Sequence, residues 1–175
     1  MEIADFLNQL GKPYIVKKKE HVFHQGEQGR NLFYVVKGIL KAYYLTTDGK
    51  EFVKSFIMET NLIGSLSAAI NGEANTFSLV CLEDCELVEV DFNKLLSTTR
   101  DDPKMNQIIM DILVKLAIKK EKREYQFLCL TPEERYNIIR DETPDLLNRV
   151  TQNDIARYLG ITPVALSRIR SRSQK

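Results

Sequence analysis

The sequence predicts an α+β protein in which a β-barrel, one long helix and a small helical domain follow one another along 175 residues. Three observations predict this order. Short β-type runs with turn signals between them fill residues 14–90. A helical repeat of apolar residues begins after Pro103, and three helix starts follow from Thr131 onward. We therefore expect a barrel at 1–102, a long helix at 103–130 and a helical domain at 131–175.

The barrel prediction depends on the alternation of apolar runs and reversals in the first region. The predicted strands are Tyr14–Val16, His21–Phe23, Leu32–Val36, Ile39–Leu45, Phe52–Met58, Phe77–Leu82 and Leu87–Val90. The predicted reversals are Gln25-Gly26, Lys37-Gly38, Asp48-Gly49 and Asn71-Gly72. Asp48-Gly49 suits a type I′ hairpin, because both residues tolerate positive φ. Small residues between Leu62 and Ile70 predict a short helix that interrupts the barrel. Many short strands of this kind indicate a sandwich or barrel.

The second region is predicted to be one helix with an apolar stripe. Pro103 suits the first turn of a helix, and apolar residues then recur at three- and four-residue steps. A stripe of this kind after a closed barrel needs a partner, and a symmetric copy of the chain is the simplest one. The alternative is that the stripe packs on its own barrel. The predicted dimer seam consists of Met105, Ile108, Ile109, Ile112, Leu113 and Leu116.

The third region carries the pattern of a helix-turn-helix. Its helix starts are the capping box Thr131-Pro132-Glu133-Glu134, then Thr151-Gln152-Asn153-Asp154 and Thr162-Pro163. Gly160, between the second and third helices, can take the left-handed conformation that ends a helix. A helix, a short glycine turn and a second helix make a helix-turn-helix. The expected buried set is Ile155, Ala156, Leu159, Ile161, Leu166 and Ile169.

Basic residues cluster at the same end of the chain. Residues 148–175 carry a net charge of +5, whereas the whole chain carries +1. This distribution points to a polyanion partner for this end, although an ordinary helical hairpin with a solvated basic tail would show it too. Arg168 is the base-reading candidate, and Arg170, Arg172 and Lys175 suit phosphates. Thr151 and Gln152 begin an opposing helix and could also bind a phosphate. The predicted DNA-binding set is Thr151, Gln152, Thr162, Val164, Ala165, Ser167, Arg168, Arg170 and Arg172.

Two segments carry a specific resemblance to a known family. One segment resembles the barrel opening of the Crp/Fnr family, the relatives of the bacterial cAMP receptor protein. It consists of His24 to Glu27, followed by Leu32, Tyr34, Val36, Lys37 and Gly38. The other, Gly160 to Arg168, is similar to the family's turn and recognition helix, and its Ser167-Arg168 pair matches the base-contacting arginine. Its Thr-Pro start is most like a divergent branch common in Bacteroidetes. The resemblance implies a cyclic-nucleotide-binding-like jelly-roll barrel and a homodimeric transcription regulator, with double-stranded DNA and RNA polymerase as candidate partners.

The chain departs from the family in both functional regions. Cyclic-nucleotide binders carry Gly-Glu-Leu and, ten residues after the Glu, an Arg followed by Ser or Ala. The matching effector-pocket residues here are Gly64, Ser65, Leu66, Asn75 and Thr76. A buried phosphate needs a charged partner that Asn75 cannot supply, so we expect no control by cAMP, and the effector is unknown. Pro163 and Val164 replace an Arg and a Glu that contact DNA. Only seven residues follow Arg168, so we expect a truncated or absent β-hairpin wing.

We expect the two recognition helices to enter major grooves about 34 Å apart, with ligand state acting on a hinge near Leu128–Thr131. The alternative function is a barrel dimer that acts as a protein-interaction module with a degenerate helix-turn-helix. Salt dependence of binding would separate the two.

Other function classes find little support in the sequence. Cys81, Cys85 and Cys129 are too few for an iron–sulfur cluster with four cysteine ligands and are interpreted as buried structural thiols. His21 and His24 are expected on opposite faces of a strand, so no metal site is predicted. Because the chain has two histidines and no phosphate loop or Ser–His arrangement, no cofactor or enzyme is predicted either. The start of the chain has no signal-peptide pattern, and the longest apolar helical stretch is too short to cross a membrane. We therefore expect a cytoplasmic protein without a membrane partner.

Overall fold

The computed structural model describes residues 3–100 and 102–173. The chain divides into two compact units, Met1–Met110 and Asp111–Lys175, and the boundary lies inside a long helix. The first unit holds α1 (Ile3–Leu10), β1 (Lys12–Val16), β2 (His21–Phe23), β3 (Asn31–Lys37), β4 (Leu40–Leu45), β5 (Glu51–Ile57), β6 (Leu62–Ile63), α2 (Leu66–Asn71), β7 (Ser78–Cys81), β8 (Cys85–Asp91) and α3 (Phe92–Thr99). α4 (Pro103–Cys129) crosses the boundary. α5 (Pro132–Glu142), α6 (Pro144–Arg149), α7 (Gln152–Leu159) and α8 (Pro163–Ser173) complete the second unit. The division into three parts predicted from the sequence stays a prediction.

Two antiparallel four-stranded sheets form the barrel of the first unit. Their strand orders are β1-β8-β3-β6 and β2-β7-β4-β5. All seven predicted strands occur, with bounds within two residues of those expected. The core between the sheets includes Phe23, Phe33, Leu40, Leu79 and Leu87. The core residues of β3, β4, β7 and β8 alternate along the strand, because successive side chains of a strand point to opposite faces. The jelly-roll-like α+β class is confirmed.

The helix predicted between Leu62 and Ile70 starts later than expected. Leu62 and Ile63 form β6 and pair with Tyr34 and Phe33 of β3. The helix α2 then begins after Ser65, whose side chain accepts a hydrogen bond from Ala68 N. The helices α1, α3 and α6 were not predicted, because each is short and its apolar residues resemble those of a strand or a turn.

The hairpin between β4 and β5 differs from the type I′ turn expected at Asp48-Gly49. Gly49 has φ of 80°, but Lys19 and Thr60 are the non-glycine residues with positive φ in the described part of the chain. Gly49 N donates to Thr46 O at 2.9 Å, and Thr46 N donates to Lys50 O at 3.0 Å. The loop is therefore a turn with negative φ at its central residues, followed by a left-handed glycine.

The predicted cysteine and histidine placements are only partly correct. Cys81 and Cys85 are buried, but Cys129 is exposed near the end of α4 and is not a core thiol. Hydrogen bonding with Cys85 and burial raise the pKa of the Cys81 thiol above its usual value. The rings of His21 and His24 stack with centroids 4.1 Å apart, so they do not lie on opposite faces. β2 ends at Phe23 with an irregular register, so strand alternation does not extend to His24.

The long helix and the helix starts of the second unit agree with the sequence. α4 begins at Pro103 as predicted. Thr131 and Glu134 make a complete capping box at the start of α5. Of the expected buried set, Ile155, Ala156, Leu159, Leu166 and Ile169 are buried, and Ile161 is only half-buried because it lies in the turn. In the described ranges, none of the helices has the length and apolar character that crossing a membrane requires.

Candidate nucleic-acid interface and effector pocket

The helix-turn-helix consists of α7, a short turn at Gly160 and α8. Gly160 has φ of 70°. Its N–H donates to Arg157 O, and Ile161 N donates to Ala156 O at 3.0 Å. This pair of bonds is the Schellman ending, which requires a left-handed residue and satisfies carbonyl groups at the end of a helix. Ala156 has no exposed surface, so a larger side chain would not fit at this position without displacing its neighbours.

One face of α8 is buried and the opposite face is open. Leu166 and Ile169 are buried against the rest of the unit. Val164, Arg168 and Ser171 follow one another at four- and three-residue steps and are all exposed, Val164 by 62%. These steps place them on one side of the helix. Within residues 3–100 and 102–173, Arg168 makes no hydrogen bond or ion pair, so its guanidinium is available to a partner.

The remaining predicted residues of α8 lie around this open face. Thr162 is exposed and its Oγ1 accepts a hydrogen bond from Ala165 N at 3.2 Å, which caps the helix. Ser167 is exposed, Ala165 and Arg170 are half-buried, and Lys175 lies outside the described residues. Arg172 is exposed, and its Nη1 lies 3.8 Å from Glu133 Oε2 of α5. The charge of Arg172 is therefore partly balanced inside the chain.

The start of α7 is capped by Thr151, as expected. The Thr151 hydroxyl accepts from Asp154 N at 3.1 Å and donates to Asp154 Oδ2 at 2.7 Å. The hydroxyl proton is therefore used inside the chain, and the phosphate contact of Thr151 and Gln152 stays a prediction. The backbone N–H of Gln152 belongs to the first turn, where N–H groups lack a partner within the helix. A phosphate at this position would be bound through that backbone.

Two of the six residues of the dimer seam predicted along α4 are buried in the single chain, and the seam stays a prediction. Met105 and Ile109 are each 8% exposed in the single chain, so they belong to its own core and leave little surface for a partner. Ile108, Ile112 and Leu116 are half-buried, and Leu113 is 39% exposed. The exposed apolar stripe instead consists of Met110, Leu113, Val114, Ala117 and Ile118. Its spacing keeps these side chains on one face of the helix.

The predicted effector-pocket residues occupy the α2 region and the segment before β7. Ser65 and Asn75 are each 5% exposed, Gly64 and Leu66 are half-buried, and Thr76 is exposed. The Ser65 Oγ caps α2 and lies 3.3 Å from Ser67 Oγ. The backbone of Asn75 exchanges hydrogen bonds of 2.8 Å with Gly26 and Glu27. None of the five predicted residues carries a charged side chain, so none can balance an anionic phosphate.

Sequence reasoning missed a cation close to this segment. Lys54 of β5 holds its Nζ 4.3 Å above the centre of the Phe77 ring, and Phe77 follows Thr76 directly. The Phe77 ring is 2% exposed and lies edge-on to Phe23 at 5.3 Å. The position of Lys54 inside the predicted strand Phe52–Met58 was the feature of the sequence that could have indicated this cation.

The comparisons with known proteins agree with this architecture. The family model for the cyclic nucleotide-binding domain matches residues 15–102. Electron transport regulator A of Shewanella oneidensis is 25% identical over the whole chain and 73% of its own length. The fumarate and nitrate reduction regulatory protein of Vibrio cholerae is 27% identical over the same shares. The structure of FixK2 from Bradyrhizobium japonicum matches 94% of the chain and 84% of its own, with a TM-score of 0.81 and 19% identity, and so shows a common fold. The chain carries a cyclic nucleotide-binding domain and belongs to the Crp/Fnr family of transcription regulators.

Proposed function

We propose that the protein binds specific sequences of double-stranded DNA as a homodimer, with α8 as the recognition helix, and so regulates transcription in the cytoplasm. The observation that carries this proposal is the open face of α8, on which Arg168 is exposed without a partner in the described ranges. The second helix of a helix-turn-helix enters the major groove with its N-terminal residues at the base edges. A free arginine there can donate two hydrogen bonds to guanine O6 and N7.

The neighbouring residues fit roles around this contact. Val164, one turn before Arg168, offers an apolar surface of the kind that contacts a thymine methyl group. Arg170 and Arg172 lie further along α8 and suit phosphate oxygens, which position the protein without reading sequence. Arg172 would exchange its contact with Glu133 for a phosphate, so we expect it to contribute less than Arg170.

The exposed stripe of α4 supports a dimer with a corrected seam. We propose that Met110, Leu113, Val114, Ala117 and Ile118 pack against the same residues of a second copy, with Ile108, Ile112 and Leu116 at the edges. A symmetric pair of this kind presents the same patch on both chains. It would present two α8 helices to successive major grooves, about 34 Å apart.

We propose that the barrel does not respond to cAMP, because Ser65 and Asn75 supply neither the carboxylate nor the cation of the phosphate cassette. The effector is left open, and RNA polymerase is a candidate partner by family resemblance. A thermal denaturation series with cAMP tests the first point. A ligand at about 100 times its Kd stabilises a protein by about 2.7 kcal/mol, so a clear rise in Tm at millimolar cAMP would refute it.

Selection of duplex DNA from a random pool, without added ligand, tests the proposed function. We expect a two-fold symmetric site with half-sites one helical turn apart. The affinity for this site should fall with salt at a log–log slope of about −0.9 for each phosphate neutralised. No enrichment at low salt would overturn the proposal. Salt-independent binding would instead favour a protein-interaction module.

The role of Arg168 can be tested on the selected site. Arg168→Ala should weaken binding by about 1–3 kcal/mol and relax specificity at one base pair in each half-site. Arg140→Ala is the matched control, because Arg140 is an exposed arginine of α5 that pairs with Asp141 at 2.8 Å and lies outside α8. Unchanged affinity of the Arg168 variant for the best site would contradict the assignment.

A further inference from the structure

Two arginine side chains bind carbonyl groups at the end of α7 that make no backbone hydrogen bond in the turn. The Schellman ending of α7 uses the carbonyl groups of Ala156 and Arg157. The next two carbonyl groups, of Tyr158 and Leu159, accept hydrogen bonds from side chains instead. Arg123 of α4 donates to Tyr158 O, and Arg135 of α5 donates through Nη2 to Leu159 O at 2.9 Å.

The same Arg135 guanidinium also binds the end of α4. Its Nη1 donates to Leu130 O at 2.7 Å and lies 3.3 Å from both Gln126 O and Phe127 O. Arg135 is 8% exposed, and its buried Nε makes no hydrogen bond within the described part of the chain. One buried side chain therefore joins the last turn of α4 to the last turn of α7, through its two terminal nitrogens alone.

The ring of Phe127 completes this arrangement. Arg123 Cζ lies 5.3 Å and Arg135 Cζ 4.9 Å from its centre. Arg123 also stacks on Tyr158, with 3.8 Å between its Cζ and the centre of the ring. A Cβ built on Gly160 would come within 3.1 Å of Phe127 Cζ, so the ring fills the space beside the turn. We call Arg123, Phe127 and Arg135 the arginine clamp.

We propose that Arg123 and Arg135 are positioning residues for the recognition helix and thereby determine the half-site spacing that the dimer accepts. The inference rests on the proposed function, because a spacing exists only for a dimer on DNA. All clamp residues belong to the second unit, Asp111–Lys175. The clamp holds α7 and the turn on the end of α4, so α8 cannot swing about residues 128–131. On this proposal, the hinge that the sequence suggested near Leu128–Thr131 does not move.

Geometry makes arginine specific for this role. The planar guanidinium presents donors in a fixed fork and can reach carbonyl groups on two sides at once. A lysine keeps the charge but carries a single ammonium group on a flexible chain. Arg135→Lys therefore removes the bridge between Leu130 O and Leu159 O while it preserves charge and most of the apolar stem.

Binding to spacer-length variants of the selected site tests the proposal. One added base pair moves a half-site by about 3.4 Å and rotates it by about 34°. The wild-type protein should lose about tenfold in affinity for such a site, and Arg135→Lys should lose less than about threefold. The base preferences within each half-site should stay unchanged. Arg140→Lys, on the same helix but outside the clamp, should behave as the wild type.

The alternative outcomes are distinct. A folded Arg135→Lys protein with the wild-type spacing preference would overturn the proposal. An equal loss of affinity at every spacing would assign Arg135 a merely structural role and would also overturn it. Should Arg135→Lys fail to fold, Arg123→Lys provides the same comparison, because Arg123 is only half-buried. Absence of any selected site for the wild type would refute the proposed function instead.

A distance measurement tests the clamp without DNA. Spin labels at Lys120→Cys in α4 and Ser171→Cys in α8, in a Cys129→Ser background, report the separation of the two helices. The labelled chain is mixed with an excess of unlabelled chain, so that distances within one chain dominate. We expect one narrow distribution with Arg135 present and a broad one with Arg135→Lys. Equal widths would overturn the proposal even if DNA binding is lost.

Discussion

Replacement of Gly160 by alanine should weaken the second unit through backbone strain and a close contact. Gly160 has φ of 70°, a region where a Cβ costs roughly 1–2 kcal/mol. The added Cβ would also lie 3.1 Å from Phe127 Cζ and 3.3 Å from its Cε2. Phe127 is 49% exposed and its ring needs to shift by only a small fraction of an ångström, so we assign this contact about 1 kcal/mol, the low end for overpacking. The expected loss is about 2–3 kcal/mol.

Two control variants separate the strain from the contact. Gly49 has φ of 80°, and nothing lies within 4 Å of a Cβ built there. Gly49→Ala should therefore cost the first unit only the strain, about 1–2 kcal/mol. Gly160→Asn should cost less than Gly160→Ala, because asparagine tolerates the left-handed region better.

Native-state hydrogen exchange is the suitable assay, because it reads the free energy of each unit from its own amides. Amides of α7 and α8 report on Gly160→Ala, and amides of β4 and β5 report on Gly49→Ala. Unchanged protection of α7 and α8 would refute the reasoning. Equal losses for Gly160→Ala and Gly49→Ala would show that the Phe127 contact costs nothing.

Three further changes test a helix cap, a buried ion pair and a partly buried histidine. Thr131→Ala removes the hydroxyl that accepts from Glu134 N, so amide protection in α5 should fall by about 1 kcal/mol; no change would contradict the cap. Lys41 Nζ lies 2.7 Å from Glu51 Oε1, and both side chains are largely buried. Lys41→Met leaves the Glu51 carboxylate without this cation and should destabilise the barrel by about 3 kcal/mol. A loss under about 1 kcal/mol would be that of a surface ion pair and would contradict the prediction. Burial lowers the pKa of His21 below 6.5, so its stabilising neutral form is complete above pH 6.5 and is lost as the pH falls through the lowered pKa. In urea unfolding, His21→Asn should reduce the loss of unfolding free energy over this pH range. Identical pH profiles for the wild type and the variant would contradict this prediction.

Local patterns in the sequence were sufficient where a single element determines its own structure. The predicted strands occur as short apolar runs between turns, and the glycines of the four predicted reversals all take positive φ. The starts of α5 and α8 occur as expected because Thr131 and Thr162 satisfy N–H groups of their own first turns. Even the type I′ prediction failed only in turn type, since Gly49 does take positive φ while Asp48 does not.

The pattern of apolar residues did not predict which face of α4 is exposed, because apolar residues occur on more than one face of this helix. From residue 105 to 118, α4 carries apolar side chains on more than one face. Periodicity showed a helix but could not decide which stripe faces the chain's own core. Met105 and Ile109 pack inside the chain, whereas Met110 and Val114, one and five residues after Ile109, are about half exposed. A shift of one residue rotates a stripe by about 100° around the helix, so the predicted seam mixed core residues with surface residues.

The clamp could not be predicted from the sequence for a different reason. Arg135 follows Glu133 and Glu134, and such a run is usually a solvated helix face. It is buried here because two helices end beside it, and the C-terminal end of a helix carries a partial negative charge of its carbonyl groups. The ends of α4 and α7 together replace the carboxylate that a buried arginine ordinarily needs. The open face of α8 defines what the protein can read on DNA. The carbonyl groups at the ends of α4 and α7 determine how that face is held. Arg135 can position it only because the folded chain brings these two helix ends together.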